Sequence, residues 1–92
     1  MNRAEILTML KVDLQISTAA QDAYLGNLIT LAQQSIRREG ITLANNIEDS
    51  MLTEAYAAYL YRSRRNPAPM PRNLRWALNN RLLAEKAGDS NG

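Results

Sequence analysis

Three prolines within five positions, Pro67-Ala68-Pro69-Met70-Pro71, set the tightest limit on how this chain folds. Each proline removes a backbone donor and restricts the residue before it. The run therefore reads as an extended, stiff connector without internal hydrogen bonds. A final segment hangs from it, and Pro71 is suited to the first position of a helix, where its missing N–H would be unbonded anyway. That helix is expected to run to about Ala87, with Gly88 as its stop and Asp89 to Gly92 as a frayed polar tail.

Helical spacing dominates upstream of the connector. Leu25, Leu28, Ile29, Ala32 and Ile36 recur at i, i+3 and i+4, with Gln33, Gln34 and Arg37 on the other side. Ser17 or Thr18 is the expected cap of this helix, which at about twenty residues would be ~30 Å long. Arg37 and Arg38 suit its negative end, and Gly40 its left-handed stop. A short helix over about Arg3 to Lys11 precedes it. Asn2 caps that helix, and Glu5 completes a capping box. Val12 to Ser17 reads as a connection whose Leu14 or Ile16 plugs the core. A third helix starts between Asn46 and Asp49 and places Leu52, Ala55, Tyr56, Tyr59 and Leu60 on one face. The expected fold is an all-α bundle of about four helices: two long central ones, a short N-terminal one, and a C-terminal one after the proline-rich connector. Residues 1–88 form one domain, and 89–92 are the tail.

Composition narrows the chemistry. The 92 residues contain no cysteine and no histidine, which removes disulfides, thiolate zinc sites, a cysteine nucleophile and the commonest general base. The carboxylates Asp13, Asp22, Glu39, Glu48, Asp49 and Glu54 are scattered, each explained as a first-turn or exposed helix charge. Only four glycines are present, and they form no phosphate loop. The expectation is a non-enzymatic protein with no cofactor and no metal. No apolar run nears the ~20 residues that span a bilayer, and the N-terminus does not read as a signal peptide. An intracellular protein working through its surfaces is expected.

Two features suggest which surfaces. On the fourth helix, Leu74, Leu78 and Leu82 share a face about 80° wide, while Trp76 and Leu83 lie close to 180° away. One face packs at home, and the other is left for a partner, unless Trp76 lies flat on a neighbouring helix. Arginines are the second feature. Nine of the eleven cationic residues are Arg, and Arg62, Arg64, Arg65, Arg72 and Arg75 cluster around the connector, with Arg81 further on. Arg favours fixed, bidentate contacts. Helix-end solvation, docking on an acidic protein and contact with nucleic-acid phosphates all remain open.

Three stretches resemble the small helical head–tail connector (adaptor) proteins of siphovirus-type bacteriophages and prophages. Ile6-Leu7 to Leu14-Gln15-Ile16, followed by Asp22-Ala23-Tyr24-Leu25, is similar to the family's short helix, connection and first long helix. Ala32 to Gly40 is similar to the end of that helix, with Arg37 and Arg38 where the family usually has an aromatic. Met70-Pro71-Arg72-Asn73-Leu74-Arg75-Trp76-Ala77-Leu78-Asn79-Asn80-Arg81-Leu82-Leu83 resembles the C-terminal helix of one branch. The resemblance implies a cyclic homo-oligomer under the phage portal protein at the head–tail joint of the virion, assembled in the host cytoplasm. Such a ring would bind the portal and the tail-completion (stopper) protein and leave a channel for DNA, touched non-specifically if at all. A ring needs two different patches per subunit. One would be Trp76 and Leu83 with Arg72 and Arg75. The other would be the Tyr24/Leu31 edge, or Tyr61 on the outer side of the third helix. Arg62, Arg64 and Arg65 are the candidate contacts to phosphates or an acidic partner. The alternatives are a small nucleic-acid-binding packaging or regulatory protein, and a subunit-interaction domain unrelated to phage.

Overall fold

The computed structural model describes residues 2–90. They form four helices: α1 (Arg3–Leu14), α2 (Asp22–Arg38), α3 (Ile47–Arg62) and α4 (Arg72–Ser90). No strand occurs among the described residues. The molecule is a slab of 45 × 28 × 17 Å.

Each helix starts and stops for a local reason. The Asn2 side chain accepts from the Glu5 N–H at 2.9 Å and caps α1. The helix passes through the expected connection to Leu14 and ends at Gln15, the one non-glycine residue with positive φ (58°) among the described residues. There the Ile16 N–H reaches back to the Lys11 carbonyl at 2.9 Å. Neither Ser17 nor Thr18 caps α2. That helix begins at Asp22, after Gln21, and runs 17 residues. The Lys11 ammonium, 2.8 Å from the Asp22 carboxylate, anchors the start. Gly40 takes the left-handed conformation at φ 101° and turns the chain toward α3. Asn46 caps α3 by accepting from the Asp49 N–H at 2.8 Å. In α4, Pro71 is the residue before the helix, and its carbonyl accepts from the Arg75 N–H at 3.0 Å. Gly88 does not stop α4, which continues through Asp89 and Ser90. The rest of the expected tail, residues 91 and 92, lies outside the described residues.

The core has two parts. Helices α1, α2 and α3 bury Ile6, Leu10, Leu25, Leu28, Ile29, Ala32, Ala57 and Ala58 together, with Leu14 and Ile16 half-buried against them. Ile36, Ile41 and Leu52 form a second cluster with Leu74 and Leu78 of α4. The expected stripe on α3 is corrected here. Ala57 and Ala58 are buried, Ala55 is exposed, and Tyr56, Tyr59 and Leu60 are half-buried. Helix α3 is central and packs against all three other helices. It therefore has no single apolar face for periodicity to reveal.

Candidate interaction surface

Helix α4 presents two different sides. Leu74 and Leu78 point inward and are buried. Trp76 and Leu83, two turns apart on the back, are 69% and 64% exposed. Trp76 does not lie on a neighbouring helix. A ridge with an indole at one end and an isobutyl group at the other faces solvent. Arg72, one turn before Trp76, is also exposed.

A groove of about 730 Å³ opens between α3 and α4. Met51, Ala55 and Tyr59 line it from α3, Pro69 and Pro71 from the connector, and Ala77 from α4. Small alanines on facing helices leave the space unfilled. The Tyr59 hydroxyl donates to the Ala68 carbonyl at 3.1 Å and pins the connector over one end. At that end the Arg62 guanidinium meets the Asp13 carboxylate at 3.3 Å. The other end is closed by Arg81, whose Nε donates to Asp49 Oδ1 at 2.8 Å.

Arg81 is the polar hub of the α3–α4 contact. It donates to both Asp49 oxygens, to the Thr42 carbonyl at 2.8 Å and to Glu85 at 3.1 Å. Asp49 is buried, contrary to its reading as an exposed first-turn charge. Burial disfavours its ionised form, but hydrogen bonds from Arg81 and the Ala44 N–H outweigh this and hold the carboxyl below its usual range. Glu85 is also held low, first by accepting from the Thr42 N–H at 3.0 Å and then by Arg81.

Most of the remaining arginines serve this chain. Arg75 makes a bidentate pair with Glu39 at 2.8 and 3.0 Å. Arg64 donates to the Tyr61 carbonyl and stacks 3.6 Å above the Tyr61 ring. Tyr61 is not on an outer side. It is half-buried against the first core cluster, and its hydroxyl donates to Gln21 at 3.2 Å. Its ring lies 6.4 Å from that of Tyr24. Tyr24 and Leu31 are 42% and 41% exposed and leave a second, weaker apolar edge on α2. Arg65 and Arg72 are exposed, with no ion pair among the described residues.

One acidic pair escaped sequence reasoning. Glu54 is half-buried beside Asp13, and one of its oxygens is buried without a partner. Burial, then the hydrogen bond and charge of Asp13, push its carboxyl up to about 8. Spacing gave no signal for this, because Asp13 reaches Glu54 only through the packing of α1 on α3. No helix among the described residues is long and apolar enough to cross a membrane. Comparison with known protein families, with curated proteins and with solved structures returns no match.

Proposed function

We propose that this chain is a non-enzymatic head–tail connector subunit of a siphovirus-type phage or prophage. Copies assemble into a ring beneath the portal and leave a channel for DNA. The observation that carries the reading is the solvent-facing ridge of Trp76 and Leu83 on α4, two large apolar side chains that the bundle does not cover. Trp is enriched at interface hot spots, and among the described residues no other element covers the ridge. Two central helices, a short leading helix and a C-terminal helix on a proline-rich connector suit a part that presents its last helix outward. The resemblance of residues 70–83 to the connector C-terminal helix points the same way.

The test is light scattering and electron microscopy of the purified protein, with and without portal. Wild type is expected to form annuli or to bind portal, and the Trp76→Ala/Leu83→Ala variant is expected to lose both. Unchanged assembly of the variant removes the ridge from the interface. The nucleic-acid reading has less support, because Arg62, Arg64, Arg75 and Arg81 are engaged within the chain. Tight, salt-sensitive DNA binding by the free subunit would favour it instead.

A further inference from the structure

We propose that the α3–α4 groove receives the Trp76–Leu83 ridge of a second copy of this chain. The proposal deepens the ring reading, rests on it, and names the two surfaces that meet.

Four observations converge. The first is length. Trp76 and Leu83 are seven residues apart, ~10.5 Å along α4. The groove wall on α3 runs from Glu48 to Arg62, ~21 Å, which is long enough to take the whole ridge. The second is room. A groove of about 730 Å³ with alanines at 55 and 77 has the volume for large apolar side chains. The third is charge. The ridge is flanked by Arg72 and Lys86, both exposed and without an ion pair among the described residues. The cations at the groove are neutralised by Asp13, Asp49 and Glu85. Glu48, exposed on the groove wall, is left as its unpaired charge. A basic ridge thus meets an acidic rim. The fourth is disposition. Ala77 and Trp76 are successive residues, so groove and ridge lie about a third of a turn apart around α4. Dissimilar patches on different sides of a subunit meet head to tail, the arrangement that gives a ring when the rotation between copies closes.

A complementation experiment in the analytical ultracentrifuge tests this. The groove is blocked with Ala55→Arg and, independently, with Met51→Lys. The ridge is blunted with Trp76→Ala/Leu83→Ala. All four positions are exposed, and circular dichroism checks that each variant is folded. Wild type is expected to gain mass with concentration. Each variant alone is expected to associate at least ~10-fold more weakly, as truncation or occlusion at a hot spot does. An equimolar mixture of groove-blocked and ridge-blunted chains should form a 1:1 complex and nothing larger, since one intact ridge meets one intact groove. Wild type that stays monomeric at its solubility limit overturns the proposal. So do groove variants that assemble like wild type, which is the result of ridge-on-ridge pairing, and so does a mixture that stays monomeric. Portal capture is read separately. Capture without self-association sinks this inference and leaves the connector reading standing. Self-association without capture upholds this inference and removes the portal as the ring's partner.

Discussion

Arg81 and Asp49 join the middle of α4 to the first turn of α3 through a two-pronged pair, 2.8 Å from Nε and 3.2 Å from Nη2. Asp49 has almost no contact with water, and Arg81 little more. The same guanidinium closes the loop between α2 and α3 through the Thr42 carbonyl. Removing one member leaves a buried charge with nothing to offset its desolvation. Arg81→Ala is therefore expected to destabilise the fold by about 3 kcal/mol in urea unfolding. Arg81→Lys should recover little of it, because a point charge cannot reproduce the planar fork. A loss below about 0.5 kcal/mol would show that the pair contributes nothing net.

Glu54 sets the pH response. Burial, then the neighbouring Asp13, pushes its folded carboxyl from the ordinary 4.5 up to about 8. The folded state thus binds the proton more tightly than the unfolded state between these values. The stability this contributes is complete below pH 4.5 and drains away as pH rises toward 8. Asp49, held low, acts in the opposite sense and costs stability only in acid. Glu54→Gln should flatten the decline between pH 5.5 and 8.5. Its gain at the upper end is on the order of 1 kcal/mol, solvent at the half-exposed pair screening the rest. Guanidinium melts at the two pH values read this out. An unchanged slope would show that Glu54 ionises normally.

The two left-handed positions predict opposite outcomes. Gln15 carries a side chain where glycine is easier, so Gln15→Gly should raise stability by about 0.5 kcal/mol. Gly40 sits at φ 101°, and a Cβ there would come within 3.3 Å of the Leu82 side chain. Gly40→Ala should cost about 1–2 kcal/mol by thermal melting. A neutral Gly40→Ala would mean that the turn relaxes.

Core and ridge of α4 should separate cleanly in the monomer. Leu78→Ala removes a fully buried side chain and is expected to cost about 3 kcal/mol. Trp76→Ala and Leu83→Ala should each stay within about 0.5 kcal/mol of wild type. Unfolding at a dilution that keeps the chain monomeric makes the comparison. A large loss at Trp76 would place the indole in the fold rather than on a docking face.

The helix count was legible because α2 obeys a single stripe and because Asn2, Gly40 and Asn46 are strong local punctuation. Element ends were less so. The α1 stop is a glutamine in a glycine-like conformation, held by the closing bonds of the helix, and nothing local distinguishes Gln15 from any other glutamine. On α3, Ala55 and Ala58 look alike in sequence. Only the positions of its neighbours decide that one is covered and the other lines a groove. The ridge on α4 was readable because helical geometry alone puts Trp76 opposite Leu74. The groove was not, since its walls come from two helices and a connector. The Asp13–Glu54 pair and the burial of Asp49 likewise depend on which helix packs on which.

The division of the interior into two clusters has a thermodynamic consequence. One is shared by α1, α2 and α3, and the other ties α4 to the far ends of α2 and α3. Helix α4 is bound by a few leucines, one bidentate pair to Glu39 and the Arg81 hub. Its amides should therefore exchange with deuterium through an opening cheaper than global unfolding, while Leu28 and Ile29 stay protected. Trp76 and Leu83 thus stand exposed on the element expected to open first, which makes that helix the natural moving part of any larger machine the chain joins.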